Sequence, residues 1–208
     1  MKYYPIFLNL HGKKAVVIGG GRVAERKIRS LLKAGASVTV ISPDITKPIE
    51  QLKSKGLITC IKRHYKKSDL KSTFIVIAAT SSAQTNTQIA GDAGSAGRLI
   101  NVVDTPSEGN FIVPSIVRRG HLTIAISTEG HSPAVSKAIR KELEKLYGAE
   151  FTTYLNFLGG IRKKAMKKIK DSKKRRKFFQ AIASEKMFNI LRNKGFKSAF
   201  EKVKQMFY

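Results

Sequence analysis

The chain is 208 residues long and 42% apolar, with 40 Lys and Arg against 14 Asp and Glu for a net charge of +26. That length holds one medium domain or a domain with an appendage, and that charge demands a polyanionic partner: nucleic acid, anionic lipid or an acidic small molecule. The single cysteine, Cys60, excludes an internal disulfide and a cysteine-based zinc site and suits a reducing compartment, and no apolar run approaches the roughly 18 residues of a membrane-spanning helix. The start, MKYYPIFLNLHGKK, lacks a signal-peptide core and cleavage site, so a cytoplasmic protein with no membrane segment is expected.

The first hundred residues alternate strand and helix patterns. Ala15–Gly19 (AVVIG) is a short apolar run of the kind a strand buried on both faces shows. Helix signals run from Val23 to Ala34, Gly35 supplies a stop, and Val38–Ile41 is a second, β-branched strand. LITCIK and TFIVIAA give a third and fourth strand, QTNTQIAGDAGSAG a weaker helix, and RLINVVD a fifth strand. Regular alternation predicts an α/β fold, a Rossmann-like doubly wound parallel sheet with helices on both faces.

The pattern changes after residue 110. FIVPSIVRRGHLTIAIS holds two apolar runs about a turn at Gly120, which predicts an antiparallel hairpin. In HSPAVSKAIRKELEKLYG, Ser132 can cap a helix, Pro133 fits its first turn and Gly148 can end it. Val135, Ile139, Leu143 and Leu146 form one apolar stripe at helical spacing. Everything from Glu150 onward reads helical. Of the 17 residues from Ile161 to Lys177, 11 are Lys or Arg. The expected division is 1–110 as a nucleotide-binding domain, 111–148 as a hairpin with a helix, and 149–208 as a basic helical region. Residues 146–208 hold 17 basic and 4 acidic side chains. Such a run is ordinarily a solvated helical face, and its basic helix with apolar interleaving also fits nucleic acid.

The GGGRVAERK stretch carries the first chemistry. Gly19, Gly21 and Ala24 fit the G-x-G-x-x-G/A dinucleotide fingerprint between a buried strand and a helix. Gly19 permits the turn, Gly21 lets the backbone approach a pyrophosphate, and Ala24 keeps the helix close to the sheet. Free N–H groups and the helix dipole bind the anion. Arg22 and Val23 complete the loop. The acidic residue that usually closes the second strand is replaced by Ser42, followed by Pro43 and Asp44, so the fingerprint leaves NAD and NADP both open. Thr80, after the fourth strand, either faces the same cleft or caps a helix with its Ser/Thr neighbours. Asp104 follows the fifth strand at the end where doubly wound sheets place ligands. A carboxylate there can take a proton while a nicotinamide takes a hydride; Asp-Thr-Pro is also an ordinary turn opener. None of His11, His64, His121 and His131 has a partner at metal-ligand spacing, so no resident metal site is expected.

Several segments together, YPIFLNLHGKKAVVIGGGRVAERK, IAAT, NVVDTPSEGNFIVPSI and ISTEGHSPAVSKAIRKELE, resemble the siroheme-synthase N-terminal module, the precorrin-2 dehydrogenase and sirohydrochlorin ferrochelatase family. The resemblance is strong over roughly residues 3–145 and covers the basic tail in kind only. It implies a homodimer of a Rossmann domain, a central dimerisation region and a helical C-terminal region. It also implies oxidation of precorrin-2 to sirohydrochlorin with NAD, and in some members insertion of ferrous iron to give siroheme. Carried over by position, it gives Gly21, Arg22 and Val23 as the nucleotide loop, Pro43 and Asp44 at the second strand's end, and Asp104 as the catalytic aspartate. Thr128 stands where some members have a serine near the substrate cleft, so the expected substrate-side residues are Thr128, His131 and Ser132. The implied substrate is an anionic tetrapyrrole, which supplies a polyanion for the basic surface. Two other classes share parts of the pattern: an NAD(H)-sensing nucleic-acid-binding regulator, and an S-adenosylmethionine methyltransferase with its own glycine loop.

Overall fold

A computed structural model describes residues 2–207. The chain divides into two compact units between Val113 and Pro114. The first holds β1 (Lys14–Ile18), α1 (Arg22–Lys33), β2 (Ser37–Ile41), α2 (Lys47–Ser54), β3 (Thr59–Ile61), β4 (Ile75–Ala78), α3 (Ala83–Ser95) and β5 (Leu99–Val102). All neighbouring strands are parallel, in the order β3-β2-β1-β4-β5. The chain winds outward from β1 to β3, then returns to β4 on β1's other side. The crevice at the carboxyl ends of β1 and β4 is therefore the topological switch point, where this architecture binds ligands.

Both faces of the sheet are covered. Ala24, Ile28 and Leu31 of α1, with Ile49 and Leu52 of α2, pack on Ala15, Val17, Val38, Val40, Ile75 and Ile77. Ile89 and Ala93 of α3 and Leu70 pack on Val16, Ile18, Ile41, Val76, Ala78, Ile100 and Val102. Successive β1 residues thus feed opposite cores, which is why the strand reads as an unbroken apolar run. Helix α1 closes with Gly35 at φ 79°, where Gly35 N donates to Leu32 O and Ala36 N to Leu31 O. This left-handed cap is the stop the sequence predicts. Helix α2 carries no strong sequence signal and goes unpredicted: at eight residues it is short, and its start, KPIE, looks like a turn.

The second unit holds the predicted hairpin, β6 (Ser115–Arg119) and β7 (Leu122–Ile126), paired antiparallel with Arg119 opposite Leu122. Helix α4 (Pro133–Leu146) packs against it. Ser132 caps α4 through its side chain, accepting from Val135 N at 3.3 Å, but Gly148 does not end it. The helix stops at Leu146, with Tyr147 leaving helical geometry, and the Gly148 carbonyl instead accepts from Phe151 N in the next turn. Three of the four residues of the predicted stripe face outward from their own chain, and Leu143 is part-buried. Val135 is 48% exposed, Ile139 37% and Leu146 46%, while Ser136 is the residue α4 buries.

Helices α5 (Glu150–Lys168), α6 (Ser172–Ile182) and α7 (Glu185–Phe207) enclose their own core of Phe151, Tyr154, Ile161, Phe178, Met187 and Leu191. The fully buried Tyr154 donates its hydroxyl proton to Ile182 O at 2.6 Å, and α7 is broken at Gly195 (φ 76°, ψ 178°). The hairpin with its helix and the basic helices, read from sequence as separate parts, lie in one unit. Because the apolar faces of α5 and α6 are spent on this core, their cations point to water. Arg162, Lys163, Lys164, Lys167, Lys173 and Lys174 are all exposed.

Candidate functional site

The three consecutive glycines after β1 do different jobs. Gly19 has φ 119°, and a Cβ there would overlap the Ala79 carbonyl at the end of β4. At Gly20 a Cβ would overlap the Asp44 carbonyl beyond β2, and the Gly20 carbonyl accepts from Thr46 N at 3.0 Å. These two residues weld the loop to its neighbouring strands. Gly21 is the opposite case: nothing lies within 4 Å of where its Cβ would be. It is the N-cap of α1 and no side chain caps the helix, so the N–H groups of the first turn open onto that space. Ala24 is fully buried against the sheet. Open space, uncapped donors and a positive helix end together fit the pyrophosphate of a dinucleotide. Gly20 is the residue that sequence reading missed; its role depends on the return of β2, which no local pattern reveals.

The residues expected around the loop are gathered there by the parallel register. Ser42, Pro43 and Asp44 continue β2 beside it. The Ser42 hydroxyl donates to Asp44 O at 2.6 Å, so it braces the turn, while Pro43 and Asp44 are exposed. Thr80 continues β4 next to Gly19. Its Oγ1 lies 2.8 Å from Asn86 Oδ1 and 3.1 Å from Ser82 O, and Asn86 Nδ2 donates to Thr80 O. The capping of α3 itself falls to Ser82, which accepts from Thr85 N. Thr80 thus shapes the crevice wall through local bonds.

Asp104 stands two residues beyond β5 with φ 65°, one of three non-glycine residues with positive φ among the described residues. Aspartate tolerates that conformation better than most side chains, and a residue so held marks a position fixed by its surroundings. The surroundings are visible. Asn110 returns beside β5, its Oδ1 accepting from Ile100 N and its Nδ2 donating to Arg98 O, both at 2.8 Å. Asn101 Nδ2 donates to Phe111 O at 3.2 Å. Gly109 passes so close that a Cβ would sit 2.8 Å from Ile100 O. The Asp104 loop is therefore stapled at both ends, while the carboxylate itself is exposed and accepts no hydrogen bond from a described residue. A carboxylate with both oxygens free at the carboxyl end of a strand can accept a proton from a bound molecule. Asn101 and Asn110 have no motif in sequence; their side-chain partners lie ten or more positions away.

In the second unit Thr128, His131 and Ser132 come together in the loop before α4. Thr128 Oγ1 donates to Ser132 O at 3.0 Å, and His131 N donates to Thr128 O at 2.9 Å. Glu129 sits at φ 52° between them, and the exposed His131 ring has Nδ1 3.0 Å from Thr128 O. Among the described residues no group of three or more His, Cys, Asp and Glu side chains is placed to hold a metal ion, and no helix is long and apolar enough to cross a membrane.

Comparison with known proteins finds a match in each unit. An NAD(P)-binding family matches residues 6–115, and the sirohaem biosynthesis protein central family matches residues 119–146. Precorrin-2 dehydrogenase of Bacillus subtilis is 37% identical over 160 residues, which cover 77% of this chain and 98% of that one. Siroheme synthase 1 of Aeromonas salmonicida is 36% identical over 184 residues, 88% of this chain but 39% of the relative. The chain thus spans about two fifths of the length of the siroheme synthases it matches. The solved structure of SirC, a precorrin-2 dehydrogenase, is similar with a TM-score of 0.79 at 26% identity, covering 98% of this chain and 100% of that one.

Proposed function

This chain belongs to the precorrin-2 dehydrogenase and siroheme synthase family, and from that premise we propose that it oxidises precorrin-2 to sirohydrochlorin with NAD. The observation that supports the reading is the open space at Gly21, before the uncapped start of α1, in the same unit as the unbonded carboxylate of Asp104. The substrate loses two hydrogens, one as a hydride and one as a proton. Bound NAD supplies the hydride acceptor. The protein's own groups do the rest. Gly21 and the first turn of α1 hold the pyrophosphate, Gly19 and Gly20 keep the loop rigid, and Asp104 accepts the proton. The same carboxylate can take protons from the ring nitrogens when ferrous iron, as a substrate, replaces them in sirohydrochlorin.

The polycarboxylate substrate is the polyanion that the composition demands. Exposed Lys and Arg on α5 and α6 raise its local concentration, an effect that salt screens. Mixing the purified protein with precorrin-2 and NAD should yield the spectrum of sirohydrochlorin together with reduced nicotinamide, with kcat/KM falling as ionic strength rises. Absence of both products from folded, NAD-bound protein overturns the assignment.

A homodimer completes the reading. Val135, Ile139 and Leu146 on α4 and Ile116 on β6 are large apolar side chains left uncovered by their own chain, and a two-stranded ribbon is too small to stand alone. A second copy related by a two-fold axis covers the same patch on both sides. Light scattering at micromolar concentration should give twice the mass of the chain; a monomer there refutes the pairing.

A further inference from the structure

The crossovers of the first unit are unequal. Helices α1 and α2 cover one face of the sheet, while on the other face α3 lies against β4 and β5. The connection from β3 back to β4 has room for a helix over β2 and β3 on this second face, but it holds a single 3-10 turn, Lys67–Leu70. The parallel register sets Lys14 opposite Ser37 and Val16 opposite Thr39 there. Between these residues and the returning loop lies a cavity of about 270 Å³ with Val16, Ile41 and Ile61 as its apolar floor. Ser37 and Thr39 line its strand side, and Lys14, Lys71 and Thr73 stand around it.

The polar groups of this cavity are of one kind. The Ser37 and Thr39 hydroxyls and the Lys14 and Lys71 ammonium groups make no hydrogen bond or ion pair with a described residue. The carboxylate in the wall, Asp69, is already neutralised. Arg63 Nη1 and Nη2 donate to its two oxygens at 2.8 and 2.6 Å, and Lys66 N donates to Oδ2 at 2.8 Å. Thr73 Oγ1 donates to Asp69 O at 3.3 Å and fixes that wall. Two free cations and two free hydroxyls above an apolar floor suit an anion on a short carbon body. Pockets for drug-sized ligands hold roughly 300–1,000 Å³, so the ligand is smaller than a nucleotide.

We propose that this cavity binds a small organic anion. Its phosphate or carboxylate sits between Lys14 and Lys71 and accepts from Ser37 and Thr39, and its carbon body lies over Val16, Ile41 and Ile61. The two cations stand at the start of β1 and ahead of β4, the end of the sheet away from the glycine loop. The site is therefore separate from the dinucleotide crevice.

Calorimetry on the full chain, with NAD present to fill that crevice, tests the proposal with inorganic phosphate, glycerol 3-phosphate and succinate. Glycerol 3-phosphate or succinate should bind saturably, one per chain, and raise the thermal midpoint. Whichever of the two binds tighter assigns the head group. That probe should bind about tenfold tighter than inorganic phosphate, the worth of roughly two buried methylene groups. Thr39→Val keeps the shape and suits a strand, and Lys71→Gln removes one cation; each should weaken binding about tenfold. Both should leave NAD affinity and kcat unchanged. Exchanging Lys163 and Lys164 on α5 for Gln removes charge elsewhere and should not alter binding. No saturable binding of either organic probe, equal affinity for inorganic phosphate, or equal weakening by the α5 exchange would each overturn the proposal. The midpoints of the unliganded variants should match the parent chain; should Thr39→Val lower its own, Ser37→Ala takes its place.

Discussion

Asp104→Asn is expected to lower the rate of precorrin-2 oxidation by a factor of about 10² to 10⁴, the usual worth of a positioned acid or base. The substitution is clean for structural reasons. Asparagine tolerates the left-handed backbone at φ 65° as well as aspartate does, so the loop keeps its shape. No hydrogen bond to the carboxylate is lost, since none is made to a described residue. The stapling by Asn101, Gly109 and Asn110 is untouched. The thermal midpoint and NAD affinity should therefore stay near those of the parent chain while turnover falls. Metal insertion into sirohydrochlorin should fall with it if one carboxylate serves both reactions, and a loss confined to dehydrogenation separates them. A residue that merely opens a turn would give the reverse: a lower midpoint and a normal rate per folded molecule. Both rates and the midpoint, measured on one preparation, decide.

Gly21→Val should abolish dinucleotide binding without unfolding the protein. Gly21 has φ −83° and ψ −176°, an extended conformation that valine favours, and its Cβ would enter open space. The branched side chain would occupy the room that the pyrophosphate needs. Losing two charge-assisted hydrogen bonds, at about 1.5–3 kcal/mol each, weakens NAD by roughly a hundredfold or more. Calorimetry with NAD, alongside the thermal midpoint, checks both halves. Unchanged affinity in a folded Gly21→Val protein would remove the cradle from the binding site.

What sequence could see depended on distance along the chain. Strands and helices with one strong local pattern, such as Ala15–Ile18, the Gly35 cap or the Ser132 cap, were readable because each needs only its immediate neighbours. The placing of Gly21 between β1 and α1 is legible for the same reason. The roles of Gly20 and of the Asn101–Asn110 staple were not, because they arise where the sheet brings separate segments together. Ser42 shows the limit from the other side. Its position at the end of β2 was correct, but its hydroxyl is spent on Asp44 O, a detail of turn geometry rather than of pattern. The stripe on α4 was legible as apolar and helical, yet its outward direction could only come from the packed structure.

The strand order has a consequence for the life of the nascent chain. β1 pairs with β2 soon after both are made, but its other edge waits for β4, with Ala15 opposite Ile75. β5 must then add to β4 before the Asp104 loop has anything to be stapled to. Closing so long a loop is slow, and until it happens β1 presents an apolar, unpaired edge. At roughly 5–20 residues per second of synthesis, that edge stays open for several seconds on the ribosome. The nucleotide-binding unit can finish only once residues beyond Phe111 have left the exit tunnel. By then the hairpin and α4 are next to emerge, and the lysine-rich helices α5 and α6 follow only after them.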